Sequence, residues 1–204
     1  YFRVMNYFIP LEAEGVYHVF NHGNGRENIF YDDINYDYFI NRLRFHTWPT
    51  CDILAYNLLP NHFHLVIKVR TDFSIERGSI RWCNYRKEPY RKLNPNQQFS
   101  NFFNCYTKSI NKNLEWRGSL FVKRFRKVKI EDEEHLKYAI AYVHTNAEKH
   151  GLLNNFRDWE HSSYKKIISV KPTYLLKEEV LKLYGGVEKF EMYHHEFLTN
   201  RALL

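Results

Sequence analysis

Read from its residues, this chain should fold as an α+β sandwich, an antiparallel sheet covered by helices. Three features point there: short runs rich in β-branched and aromatic residues, longer runs with a helical apolar period, and the order in which the two kinds follow each other. Residues 16–22, VYHVFNH, read as the first strand. GNGRENIFYDD follows as a loop, its two glycines marking turns. INYDYFINRLRFH reads as a helix, with Ile34, Tyr38, Leu43 and Phe45 as its apolar positions and Pro49 as its stop. CDILAYNLL and HFHLVIKV read as a strand pair joined at Pro60-Asn61.

Residues 70–98 are polar and basic and carry two prolines, the character of a long loop. From Phe99 the apolar residues Phe102, Phe103, Tyr106 and Ile110 keep helical spacing, and this helix should end near WRG. LFVKRFRKVKI reads as a strand or extended arm. EDEEHLKYAIAYVHTNAEKHG reads as a helix with acids in its first turn and Gly151 as its cap. A last helix is expected from Lys177. The order strand, helix, strand, strand, helix, strand is that of a ferredoxin-like sandwich (β-α-β-β-α-β) with additional C-terminal helices. Residues 1–168 should form the main domain and 169–204 a helical appendage. Along the third strand Phe63, Leu65, Ile67 and Val69 point one way, toward helices. His62, His64, Val66 and Lys68 point the other way, toward a face where a site could sit.

With 204 residues and 44% hydrophobic content, the chain can bury a sizeable core. No apolar run is long enough to cross a membrane, and no charged-then-apolar start suggests export. Three cysteines, Cys51, Cys83 and Cys105, make neither a metal spacing nor a disulfide framework, so a reducing cytoplasm is the expected setting. The net charge of +7 suits a nucleic-acid partner. Two stretches concentrate it. One holds Arg117, Lys123, Arg124, Arg126, Lys127 and Lys129, with Phe121 and Phe125 between them. The other holds Arg77, Arg81, Arg86, Lys87, Arg91 and Lys92, with Trp82, Tyr85 and Tyr90. Cations track phosphates and aromatic faces stack unpaired bases. Arg26, in the loop after the first strand, is expected near the site.

His62 and His64 stand two apart on one strand face, close enough to share an ion, and neutral imidazole binds divalent metals. Two ligands leave the site short of a third. The helix after Glu131 offers one: His135, Ala139, Tyr142 and Asn146 share the flank of a stripe made by Leu136, Ile140, Val143 and Ala147. Tyr142 there could act as a nucleophile and Asn146 as a ligand. With sixteen tyrosines in the chain, wheel geometry alone leaves Tyr142 an edge-of-core residue. His18 and His22 share a strand face and read as structural or supporting. His194 and His195 are adjacent, point apart, and make a poor ligand pair.

YHVFNHGNGRENIF, AYNLLPNHFHLVI, RGSLFVKRFRKVKI and YVHTNAEKHGL resemble, in order and spacing, the REP-associated tyrosine transposases. These are relatives of the single-tyrosine transposases of the HUH nuclease superfamily. The resemblance covers roughly residues 16–168, including the DWEHSSY tail. It implies a DNA transposase that nicks and rejoins single-stranded or hairpin DNA through a 5′-phosphotyrosine link, in a bacterial cytoplasm at the nucleoid. It implies His62 and His64 as metal ligands, Tyr142 as nucleophile and Asn146 as amide ligand, with Mg²⁺ or Mn²⁺. It departs from the family at Ala147, where proline is usual. Tyr106 is the fallback nucleophile. Relatives act as dimers or alone, so a homodimer stays open. A DNA-binding protein that lost the chemistry and a hydrolase of small phosphoesters are the rival readings.

Overall fold

The computed structural model describes residues 9–25, 28–72, 74–76 and 90–202; at 74–76, 90–92, 201 and 202 it describes the backbone. Arg26, Arg77, Arg81, Trp82, Cys83, Tyr85, Arg86 and Lys87 lie outside the described residues, as do the side chains of Tyr90, Arg91 and Lys92. Strand β1 (Val16–His22) leads to α1 (Asp33–Thr47), then to the hairpin of β2 (Cys51–Leu59) and β3 (His62–Val69). A small pair, β4 (Ser74–Glu76) with β5 (Tyr90–Lys92), stands where one long loop was expected. Helix α2 (Pro95–Asn113), strand β6 (Arg126–Ile130) and helix α3 (Glu133–Lys149) follow. The main sheet is antiparallel in the order β2-β3-β1-β6, the ferredoxin-like arrangement.

Local chemistry sets the helix ends. Asp32, Asn94 and Asp132 each accept a hydrogen bond from a backbone N–H of the first turn of α1, α2 and α3. Pro95 then opens α2, where its missing N–H costs nothing. At the far end of α3, Gly151 takes φ 69°, with its N–H on Glu148 O and that of Leu152 on Ala147 O. This is a Schellman stop.

Helices α1 and α2 cover one face of the sheet, as the alternation in β3 requires. Phe39 of α1 and Phe103 of α2 have ring centroids 5.2 and 5.7 Å from that of Phe63. The face that α1 turns inward differs from expectation: Tyr36, Phe39 and Leu43 are buried, while Ile34 is 75% exposed. In the extended arm continuous strand pairing runs over Arg126–Ile130, preceded by an isolated bridge between Phe121 and Gly23.

The opposite face, where the site was expected, is also covered. Helix α3 lies across it, and α6 (Val187–Ala202) packs on α3 from behind. The expected C-terminal helices are α5 (Lys177–Tyr184) and α6, separated by Gly185 and Gly186 at φ 83° and 116°. Val180, Tyr184 and Phe190 of these helices join the same buried cluster as the sheet. A directional chain ties them in. His194 Nδ1 donates to Phe190 O (2.7 Å), His144 Nδ1 donates to His194 Nε2 (2.9 Å), and Ser163 Oγ donates to His144 Nε2 (2.7 Å). Each ring keeps one proton in this chain, and burial holds both well below the usual imidazole range, His194 at about 4. Among the described residues no helix is long and apolar enough to cross a membrane.

Candidate active site

Strand alternation and pairing lay out the floor of the site. The register sets His22 beside His62, Phe20 beside His64 and His18 beside Val66, all on the face toward α3. On the outer side of β3, Asn57 of β2 lies beside His64. Its Nδ2 donates to the carbonyls of Val143 (2.7 Å) and His144 (3.3 Å), which pins α3 to the sheet at the turn that carries Tyr142 and Asn146.

Tyr142 and Asn146, one helical turn apart, therefore point at the imidazoles. The Tyr142 ring is half-buried, with its centroid 5.5 Å from that of His64 and 5.8 Å from that of His18, both edge-on. Asn146 is fully buried, and its Oδ1 is 3.4 Å from His62 Nε2. His62 and His64 are 4% and 5% exposed, with ring centroids 5.3 Å apart. The four residues expected to form a site are thus brought together. Tyr106 is not among them: it is buried under the other face and donates to Ile29 O at 2.7 Å.

Protonation follows from burial. Desolvation pulls His62 down to about 4 and His64 well below the usual imidazole range, with neighbouring histidines adding to both shifts. Both rings are neutral at pH 7 and each carries one N–H. In His62 that proton belongs on Nδ1, 2.7 Å from the acceptor Asn61 Oδ1. Nε2 then presents a lone pair toward Asn146 Oδ1, another acceptor, while the buried Asn146 Nδ2 has no hydrogen-bond partner among the described residues. Two converging lone pairs 3.4 Å apart suit a cation, being within a few tenths of an ångström of the roughly 3.0 Å that separates neighbouring donors at about 2.1 Å in an octahedral divalent site.

His18 was set aside in the sequence reading as supporting. Its Nε2 lies 2.9 Å from His64 Nδ1, and burial brings it down to about 4. With His18 Nε2 as the acceptor, the His64 proton would sit on Nδ1 and leave Nε2 as a lone pair, the role an outer hydrogen bond plays for metal-binding histidines. His22 and His150 flank His62 with centroids 4.9 and 4.8 Å away, and both are exposed. Lys149 lies over the Tyr142 ring at 5.2 Å. Lys149 and Arg126 give the mouth of the site a positive field; burial, together with that field, lowers the pKa values of His22 and His150. Among the described residues no group of three His, Cys, Asp or Glu side chains is placed to hold a metal, so the third donor here would be the amide.

The six cations expected to meet DNA do not form one surface. Arg117, Lys123 and Arg124 are exposed on the approach to β6. Within β6, Arg126 pairs with Phe20 and so shares the imidazole face, whereas Lys127 pairs with Val19 and Lys129 with Tyr17, on the α2 face. Lys129 is ion-paired with Glu12 at 2.9 Å. His144 and Asn57 were missed as organising residues, and His18 was read as supporting without its partner. Their partners lie 46 to 87 positions away in sequence, where no spacing rule reaches.

No protein-family model matches this chain, and no curated protein shows significant similarity to it. Among solved structures, it resembles a REP-associated tyrosine transposase bound to a REP hairpin. The superposition covers 83% of this chain and 88% of that one, with a TM-score of 0.57 and 15% identity. This chain has that fold. At such identity the likeness concerns the backbone, and the chemistry must be argued from the side chains above.

Proposed function

We propose that this protein is a divalent-metal-dependent single-tyrosine transposase, a strand transferase acting on single-stranded or hairpin DNA in a bacterial cytoplasm, at the nucleoid. The observation that carries the reading is the convergence of Tyr142 from α3 with His62 and His64 from β3, with Asn146 Oδ1 facing His62 Nε2. The hairpin in the related structure supports the partner class.

A phenol titrates at about 10 in water, so a nucleophilic tyrosine works best in a positive field. Lys149 beside the Tyr142 ring contributes to that field. His62, His64 and Asn146 would hold Mg²⁺ or Mn²⁺, which supplies charge neutralisation at the scissile phosphate. Tyr142 Oη attacks phosphorus, its proton passing to water at the open mouth. The P–O3′ bond breaks and the 3′ oxygen takes up a proton. A 5′-phosphotyrosine bond remains, close in energy to the diester it replaces. Another 3′-hydroxyl can therefore reverse the step and join strands without ATP. Tyrosine and imidazoles meet within one chain, so the chemistry needs no second copy. Ala147 keeps Asn146 in the helix and aimed at His62, so the departure from proline leaves the donor in place.

The test is a denaturing gel after incubation with end-labelled hairpin DNA and Mn²⁺. A covalent adduct lost in Tyr142→Phe and in EDTA supports this reading. Binding without adduct would favour a regulator that kept the fold. Cleavage unaffected by Tyr142→Phe would favour a phosphoesterase.

A further inference from the structure

A groove of about 690 Å³ lies on the side of the sheet away from the imidazoles, between α2 and the segment that leads into β6. Helix α2 contributes Asn96, Ser100, Asn104 and Thr107, a polar stripe next to its buried aromatic stripe. Lys123 and Lys127 face that stripe across a floor that includes Phe103 and Phe121. Amides and hydroxyls on one wall and cations on the other suit a polyanion better than an apolar ligand.

Lys127 is the residue that decides the matter. Edge strands often carry lysines that project into water and deter pairing with other chains. Lys129 fits that description, exposed and paired with Glu12. Lys127 does not, being 7% exposed and turned under α2. Its Nζ donates to Asn96 Oδ1 at 2.9 Å and sits 4.5 Å from the Phe125 ring centroid, and burial lowers its pKa. Among the described residues no carboxylate pairs with it. A buried ammonium facing only a neutral amide and a ring is a charge without its counterion.

We propose that this groove binds a phosphodiester of the DNA strand, with Lys127 as its anchor, so that single-stranded DNA running from the active site passes around the β6 edge to the opposite face. The proposal rests on the DNA-strand reading above and adds a second contact to it. Consecutive residues of β6 make the route: Arg126 stands on the imidazole face and Lys127 on the groove face. The groove recognises the backbone of an unpaired strand, since cations and polar side chains form its walls while Phe103 and Phe121 are buried in its floor with little face left for a base to stack on.

The experiment compares two fluorescent oligonucleotides on the full chain: a hairpin alone, and the same hairpin with a single-stranded extension of about 8 nucleotides. Wild type should bind the extended form more tightly. Lys127→Met should reduce that advantage by about 10-fold and lower the salt slope on the extended form by about 0.7, one phosphate contact. Lys127→Arg should keep most of the advantage. Asn104→Glu, at an exposed position that no core contact depends on, places an acid in the groove and should also reduce it. The proposal is overturned if both Lys127→Met and Asn104→Glu keep the full advantage. It is equally overturned if wild type gains nothing from the extension. Hairpin binding and Tyr142 adduct formation by wild type report separately on the underlying reading, so a failed groove and a failed transposase give different results.

Discussion

The two faces of one sheet are built from opposite materials. Under α1 and α2, Phe39, Phe63, Phe102, Phe103 and Tyr106 interlock as a dry aromatic layer. Under α3, the same strands present His18, His22, His62 and His64. Each face also meets a tyrosine on a covering helix. Tyr106 is sealed, its hydroxyl spent on Ile29 O and its pKa driven up by burial. Tyr142 is half-buried beside neutral imidazoles. Strand alternation separates the two environments by one residue, so a fold can keep a rigid core directly behind a reactive surface.

Exchanging roles between the faces should fail. Tyr142→Phe is expected to cut adduct formation by roughly 10³-fold or more while leaving the melting temperature near that of wild type. Tyr106→Phe should retain the adduct and lose about 1–3 kcal/mol of stability, because the Ile29 carbonyl is left without its donor. Gel quantification and urea unfolding read the two effects.

Truncating the aromatic layer should be the larger blow to folding. Phe39 packs against Phe30, Phe63, Phe102 and Tyr106, so Phe39→Ala is expected to cost about 3–5 kcal/mol in urea unfolding.

The polar side answers to pH where the aromatic side does not. His144 and His194 are held neutral in the folded protein, so the unfolded chain binds more protons than the folded one below pH 6.5. Their contribution is present above that pH and is lost as pH falls from 6.5 toward about 4. Each should contribute up to about 1.4 kcal/mol per pH unit within that window. Unfolding curves at several pH values should show this slope, and His194→Gln should make it shallower.

The smallest expected effect concerns the outer hydrogen bond. His18→Phe should lower Mn²⁺ affinity about 10- to 100-fold in calorimetric titrations, and His18→Gln, which keeps an acceptor, should recover part of it. Equal Mn²⁺ affinity in His18→Phe and wild type would show that His64 does not depend on His18 for its tautomer.

Periodicity made much of this legible. Alternation in HFHLVIKV separated the core face from the imidazole face, and the element order named the topology. The helical spacing of Tyr142 and Asn146 marked them as neighbours, and family resemblance, more than the wheel, singled them out. Periodicity failed in two ways. In α1, Asn35 is buried with its Oδ1 accepting from Tyr31 N, which rotates the helix away from the face that Ile34 would choose. In β6, the basic residues look like one run in the sequence, although a period of two divides Arg126 from Lys127 and Lys129. Other features gave no local signal at all. The Ser163–His144–His194 chain, the Asn57 clamp and the His18–His64 bond join distant segments, and only the closed fold reveals them. The helix after Glu131 was expected to offer its flank to the histidine pair, but the depth of its cover was not legible: from Ala139 to Ala147 it is buried on nearly every side.

The central claim is that the phenol at position 142 becomes covalently joined to DNA beside the paired imidazoles. Mass mapping of the nucleotide-bearing peptide, after exhaustive nuclease and protease digestion of the Mn²⁺ reaction, tests it directly. The account expects the added mass on the peptide containing Tyr142. A mass on any other tyrosine, Tyr106 included, or cleaved DNA with no modified peptide, would contradict it.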